Sequence, residues 1–502
     1  MVAANHLGGR RIPFLDALTF GGYFVYLGIL SLVTHFTRQT WLGFFFAPLP
    51  MLFLRMDHFR FMLLAFSGYL LYFPGNMPGS NFLFFNTSDS LAIAYIGLYL
   101  FNRRGFAVFS LPFSPGLIPL YAFILYGFAL SVGPVLEFGT DFYVMRDIKN
   151  LCFLLLVPML CRDGEPLFAP KALFHILCGI LAFTSLHAAI VLINFLATGE
   201  RVLTWNEVFF ADGVLLVPIL LGLDLSKRIR AFLFTILALC LMGLLACQTR
   251  GLWISAAVSF AVYGTLRIRK AGLIGLNEFR KRLPVAIFLL LSAEAILRLT
   301  SGTGLGGFLL HRLTAHSANE LINPWSSLGY RIHESLVVWQ KRTWFGHGSG
   351  ARLYLFFTQL GMSKFINWWS IHSQYFETLH KYGFIGLGLL LWFLAATLRR
   401  ALRLAMRGAR YPSTIGFAAL ITLLNHCLVS ITSGYLIREN VMLYMVMLVC
   451  MVERYLPRSG ARKKRTETSL PKVWEPGRGI SLGYDETHAG RRHDIHGFPR
   501  LP

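Results

Sequence analysis

Acidic residues are scarce in this chain. Only 24 of its 502 residues are Asp or Glu, and charged residues of both signs make up 14%. A soluble domain of this length needs far more charge to cover its surface, so a soluble globular fold is excluded. The seven cysteines lie mostly in apolar runs and form no C-x-x-C pair and no Cys/His ligand spacing. They read as small buried hydrophobes, which sets aside a disulfide framework and a metal site. Gly302-x-Gly304-x-x-Gly307 has a dinucleotide-loop spacing but follows an apolar helix instead of a strand, which is the wrong setting for that site. Arg10-Arg11 precedes an apolar run holding Phe20, Tyr23, Phe24 and Tyr26, with no small-residue cleavage site after it. This segment reads as an uncleaved first membrane helix.

Apolar sequence is what the chain has in excess. Hydrophobic residues form 55% of it, with 45 Phe and 19 Tyr. A helix crosses a bilayer with about 20 apolar residues, and runs near that length recur from residue 16 to residue 456. In lipid the backbone must satisfy itself, which leaves helices or closed barrels. The runs predict an all-α polytopic membrane protein of about 14 transmembrane helices, at 16–33, 41–54, 59–74, 87–101, 116–135, 147–161, 173–197, 208–224, 231–247, 251–266, 283–299, 372–398, 412–432 and 436–456. Basic clusters at Arg10-Arg11, Arg55 to Arg60, Arg103-Arg104, Arg162 to Lys171, Lys227 to Arg230, Arg267 to Arg282, Arg399 to Arg410 and beyond Arg454 fall at every second connection. The positive-inside rule then puts both termini in the cytoplasm. Arg250 and the one long connection, residues 300–371, fall on the opposite side. The chain divides into an N-terminal bundle of about 11 helices (1–299), a loop with short helices (300–371), C-terminal helices (372–456) and a disordered basic cytoplasmic tail (457–502). The net charge of +23 belongs to this loop pattern, so no nucleic-acid partner is expected. The Arg462-Lys463-Lys464-Arg465 cluster is either a plain topology anchor or a contact to anionic membrane lipids.

Three stretches place fixed charge or imidazole beside apolar helices on the non-cytoplasmic side. A charge at membrane depth costs roughly 2.5–3.5 kcal/mol on insertion scales, so it needs a partner or a task. Thr249-Arg250-Gly251-Leu252-Trp253 opens a helix. Arg250 is either a snorkelling interfacial arginine or, beside the positive end of that helix, a phosphate ligand; Trp253 suits headgroup level. Arg331 sits in Gly329-Tyr330-Arg331-Ile332-His333-Glu334, with apolar spacing that predicts a surface helix. Glu334 lies within reach of an ordinary i,i+3 ion pair with Arg331. His372-Ser373-Gln374 leads into an apolar helix, with His380 two turns further on. His372 is either a structural histidine or an imidazole that accepts a proton from a hydroxyl near neutral pH. Asn425-His426 falls mid-helix and must face the protein interior.

On these residues the chain resembles the bacterial O-antigen ligase and O-antigen polymerase superfamily. The resemblance rests on Thr249-Arg250-Gly251-Leu252-Trp253, on Arg331 with Trp339, on Phe345-Gly346-His347-Gly348, and on His372-Ser373 running to Gly383-Phe384-Ile385-Gly386, and it covers about residues 230–400. Thr249, Ser373 and Trp344 stand where the family usually has Ser, Asn and Pro. The resemblance implies a multi-pass protein of the bacterial inner membrane whose long loop is periplasmic. It implies a donor glycan on undecaprenyl diphosphate, with Arg250 and Arg331 holding the diphosphate and His372 acting on the acceptor hydroxyl, with inversion at the anomeric carbon. Ser373, His380 and Trp253 are expected to support these three. The acceptor is a second lipid-linked repeat unit for a polymerase and lipid A–core for a ligase, and the helix count leans towards a polymerase with a chain-length regulator as partner. Neither a metal nor a soluble cofactor is expected. A lipid or polysaccharide transporter is the alternative from another class.

Overall fold

The computed structural model describes residues 115–139, 141–157, 170–198, 207–223, 225–247, 249–270, 327–357, 364–368, 371–408, 410–433 and 439–456, with isolated positions elsewhere. The expected helices at 16–33, 41–54, 59–74, 87–101 and 283–299, loop residues 300–326 and the tail 457–502 lie outside the described residues, those isolated positions aside. The described chain is helical apart from one hairpin. Its helices are α1 (Ile118–Phe138), α2 (Phe142–Leu154), α3 (Pro170–Thr198), α4 (Val208–Leu220), α5 (Lys227–Cys247), α6 (Arg250–Lys270), α7 (Ser327–Gln340), α8 (Gln374–Arg407), α9 (Arg410–Val429) and α10 (Glu439–Tyr455). The strands β1 (Leu353–Phe357) and β2 (Lys364–Trp368) pair antiparallel with Leu353 opposite Trp368. Six helices are long and apolar enough to cross a membrane: α1, α3, α5, α6, α8 and α9. This is a multi-pass membrane protein.

Local chemistry sets the helix ends. α1 carries Pro119 in its first turn, where a missing amide leaves no bond unmade. α2 starts on Asp141, whose carboxylate accepts the Tyr143 amide at 2.9 Å, an N-cap bond. Outward positions on α1 stay apolar, with Leu125 70% and Leu136 82% exposed. A helix that is apolar all round belongs in lipid. Inside, α5 packs on α3 and α4, α8 on α9 and α1, and α10 on α9 and α2. The α3–α5 contact is close: a Cβ on Gly243 would lie 2.6 Å from the Ala188 methyl. Small residues permit such approaches where helices meet in a membrane.

Two ends of the bundle can be told apart by their contacts. At one end Lys270 closes α6 and donates to the Ala405 carbonyl at 2.7 Å and to Gly408 at 3.2 Å, capping the last turn of α8. The Arg400 guanidinium and Glu453 carboxylate pair at the same end of α8 and α10. At the other end lie the starts of α6 and α8, so these two helices run parallel. The 21 residues from Arg250 to Lys270 rise about 30 Å, close to the thickness of a hydrocarbon core. One polar cluster sits between these ends. The His426 ring N–H donates to Asp212 at 2.7 Å, the Asn425 amide to Asp212 at 3.0 Å, and the Ser255 hydroxyl to Asn425 at 2.8 Å. Asn425 and His426 face the interior, where the cluster ties α4, α9 and α6 together.

Candidate functional site

Arg250 opens α6 three residues beyond Cys247, the last of α5. The preceding Thr249 hydroxyl donates to the Glu207 carboxylate, which is buried at the start of α4. The Thr249 carbonyl accepts the Leu252 amide at 3.0 Å. Trp253 reaches back across the turn, its indole N–H donating to the Leu244 carbonyl at 2.8 Å. Gly251 meets the end of α9: a Cβ there would lie 2.9 Å from the Thr432 hydroxyl. Two residues earlier in that same turn the Ser430 carbonyl accepts the Gln374 amide, the first of α8, at 3.0 Å. The heads of α6 and α8 therefore meet on the tail of α9.

His372 stands immediately before α8. One carboxylate holds it at two points. Glu334 Oε2, on α7, accepts the His372 backbone amide at 2.8 Å and lies 3.2 Å from Nδ1, with Oε1 3.4 Å from the same nitrogen. Glu334 is fully buried, whereas the His372 side chain is 35% exposed. The Tyr330 ring meets the imidazole edge-on at 5.4 Å. Burial, and after it the Glu334 charge, push the Tyr330 phenol well above its ordinary range, so it stays neutral and packs rather than titrates. Arg331 follows Tyr330 on α7, half-buried, on the helix that Glu334 fastens to His372. Ser373 is the buried N-cap of α8 and makes no side-chain cap bond.

α8 is broken at its tenth residue. Gly383 adopts φ 66°, ψ −168°, a conformation that only glycine tolerates cheaply. The break strands backbone groups that a membrane helix must otherwise satisfy. The segment after α7 satisfies them: His347 and Gly348 amides donate to the His380 and Lys381 carbonyls at 3.0 and 2.9 Å, and the Phe384 and Ile385 amides donate to Thr343 and Trp344 at 3.2 and 3.3 Å. Below this stitch the Lys381 ammonium pairs with Asp147 at 2.9 Å and Glu377 at 2.6 Å. Arg146 lies 3.5 Å from Asp147 and 3.8 Å from Glu377. The Gly350 amide donates to Asp147 at 2.8 Å, and Ser349 and Ser131 share a hydrogen bond of 2.6 Å. His380 belongs here: its Nε2 lies 3.3 Å from the Arg352 carbonyl, and its ring lies 4.9 Å from the His347 ring, tilted to it by 46°.

Among the predicted residues, Arg250, Trp253, His372 and Ser373 thus share one end of the bundle, and Arg331 lies on α7, the helix whose Glu334 holds His372. His380 supports the loop instead. Two acidic residues gained partners that spacing did not name: Glu334 with His372 and Glu207 with Thr249. Among the described residues no cluster of three or more His, Cys, Asp or Glu side chains is arranged to hold a metal ion.

Residues 235–391 match the O-antigen ligase family. The match is consistent with the O-antigen ligase and polymerase superfamily, and it runs from α5 into α8. The matched segment holds Arg250, Arg331, Glu334, His372 and the Gly346–Gly383 stitch; Asp147, Glu207 and Asn425 lie outside it. A comparison with curated proteins gave no match.

Proposed function

We propose that the protein is a periplasmic-face glycosyltransferase that moves a glycan from undecaprenyl diphosphate to a sugar hydroxyl. The observation that carries this reading is the meeting of the α6 and α8 heads, Arg250 on one and His372 before the other, within the O-antigen ligase segment. Arg250 and Arg331 hold the diphosphate, since a guanidinium is always charged and offers a planar pair of donors to phosphate oxygens. The acceptor oxygen attacks the anomeric carbon as the bond from that carbon to the diphosphate oxygen breaks, on the opposite face. Negative charge grows on the leaving diphosphate, where the two arginines stabilise it. The acceptor proton passes to His372, and the configuration inverts. Ser373 and Trp253 support the two helix heads and His380 supports the loop. A diphosphate is already a good leaving group, so the reading needs neither a metal nor a soluble cofactor.

The protein sits in the inner membrane with both termini cytoplasmic. A second lipid-linked repeat unit as acceptor makes it a polymerase of O-antigen or exopolysaccharide, working beside a chain-length regulator. Lipid A–core as acceptor makes it an O-antigen ligase. Purified protein given lipid-linked donor and each acceptor in turn separates the two: a ladder of lipid-linked oligomers marks the polymerase, glycan-capped lipid A–core the ligase. His372→Ala should lose roughly 10²–10⁴-fold in rate, the range of a general base, with donor binding retained. Equal turnover in wild type and His372→Ala would remove the imidazole from the reaction. Wild-type protein that transfers to neither acceptor would sink the transferase reading itself.

A further inference from the structure

We infer that Glu334 is a positioning residue that fixes the tautomer and orientation of His372. The inference rests on the role of His372 proposed above. An ionised carboxylate only accepts hydrogen bonds. With Glu334 oxygens at 3.2 and 3.4 Å from Nδ1, the ring carries its proton on Nδ1 and leaves Nε2 as the lone-pair nitrogen. The Nδ1 edge faces a fully buried partner, so in the proposed reaction Nε2 is the nitrogen that accepts the hydroxyl proton. The same Oε2 accepts the His372 backbone amide at 2.8 Å, which stops the residue from turning away with its helix. The Tyr330 ring, edge-on at 5.4 Å, closes one side. A carboxylate behind a base also favours the imidazolium that forms once the base has taken its proton.

The arrangement makes a particular substitution informative. In Glu334→Gln the amide oxygen still accepts the His372 backbone amide, but the carboxylate charge behind Nδ1 is lost and the NH₂ takes the Oε1 place 3.4 Å from Nδ1, from which it donates and favours the tautomer with its proton on Nε2. With full-length protein in nanodiscs, lipid-linked donor and acceptor, Glu334→Gln should lower kcat roughly 10²–10⁴-fold with KM and melting temperature unchanged. Glu334→Asp, which keeps the charge, should retain more kcat than Glu334→Gln. In a His372→Ala background Glu334→Gln should cost nothing further, because it acts through the ring. A Glu334→Gln enzyme of wild-type kcat would overturn the inference, as would an additive loss on top of His372→Ala. Should Glu334→Gln fail to fold, Glu334→Asp decides: reduced kcat at unchanged KM and melting temperature supports the role, and wild-type kcat removes it. The outcomes also separate the two readings. An active His372→Ala ends both, whereas an inactive His372→Ala beside an unaffected Glu334→Gln ends only this one.

Discussion

Gly346 and Gly383 lie back to back across the break in α8, and each excludes a side chain from the other. A Cβ on Gly346 would sit 2.5 Å from the Gly383 nitrogen, and a Cβ on Gly383 2.5 Å from the Gly346 nitrogen. Both have positive φ, 81° and 66°. The loop after α7 and the start of α8 are thereby locked in one register, with His372 eleven residues from the lock.

Gly383→Ala should therefore destabilise the protein by more than the roughly 1–3 kcal/mol of a strained backbone alone, since the contact on the other side is backbone too. Gly346→Ala should behave alike, and the double substitution should not be worse than the sum. Melting of the detergent-solubilised variants measures this. A wild-type melting temperature for Gly383→Ala would show that the loop can lift away.

Lys381 neutralises two carboxylates in a dry place, itself only 3% exposed. Lys381→Met leaves Asp147 and Glu377 facing each other with Arg146 at longer range, and breaking a buried pair costs about 3–5 kcal/mol. Adding Asp147→Asn should return part of that loss. The melting temperatures of the single and double variants decide it, and a double variant less stable than Lys381→Met would contradict the pairing.

Arg250→Lys keeps the charge and loses the planar fork. On the diphosphate reading, transfer should fall at least tenfold while protein level holds, because one ammonium makes a point contact where a guanidinium makes two. Arg250→Ala should fall further. Normal glycan products in the Arg250→Ala strain would reduce Arg250 to an interfacial anchor.

The alternation of basic loops predicts sidedness. Reporters fused near residue 405 or residue 470 should be cytoplasmic, and one within 305–365 periplasmic. A cytoplasmic long loop would put Arg331 and His372 in the wrong compartment and end the proposed reaction along with the topology.

The helices of the described region were legible because lipid imposes length and composition together. The run expected at 116–135 is found as Ile118–Phe138, that at 231–247 as Lys227–Cys247, and the helix around Arg331 as Ser327–Gln340. Side-chain partnerships at long range were not legible. Spacing offered Arg331 as the partner of Glu334, while the fold places His372 on it, 38 residues away. Asn425 and His426 were readable as interior residues, but their partner Asp212 is more than 200 residues distant. The hairpin Leu353–Trp368 was missed for another reason: ten strand residues inside a loop 70 residues long leave no periodicity that stands out. Gly383 carried a signal in the glycine-rich motif, yet nothing local said that the helix would break there and be mended by residues 343–348.

The turn that closes α9 has a mechanical consequence. Its Ser430 carbonyl holds the Gln374 amide, and its Thr432 hydroxyl sits against Gly251. A tilt of α9 thus carries the neighbourhoods of Arg250 and His372 in the same direction. Two tools mounted on one rail keep their spacing when the rail shifts, so in the proposed reaction the gap between leaving group and proton acceptor is gauged by this turn.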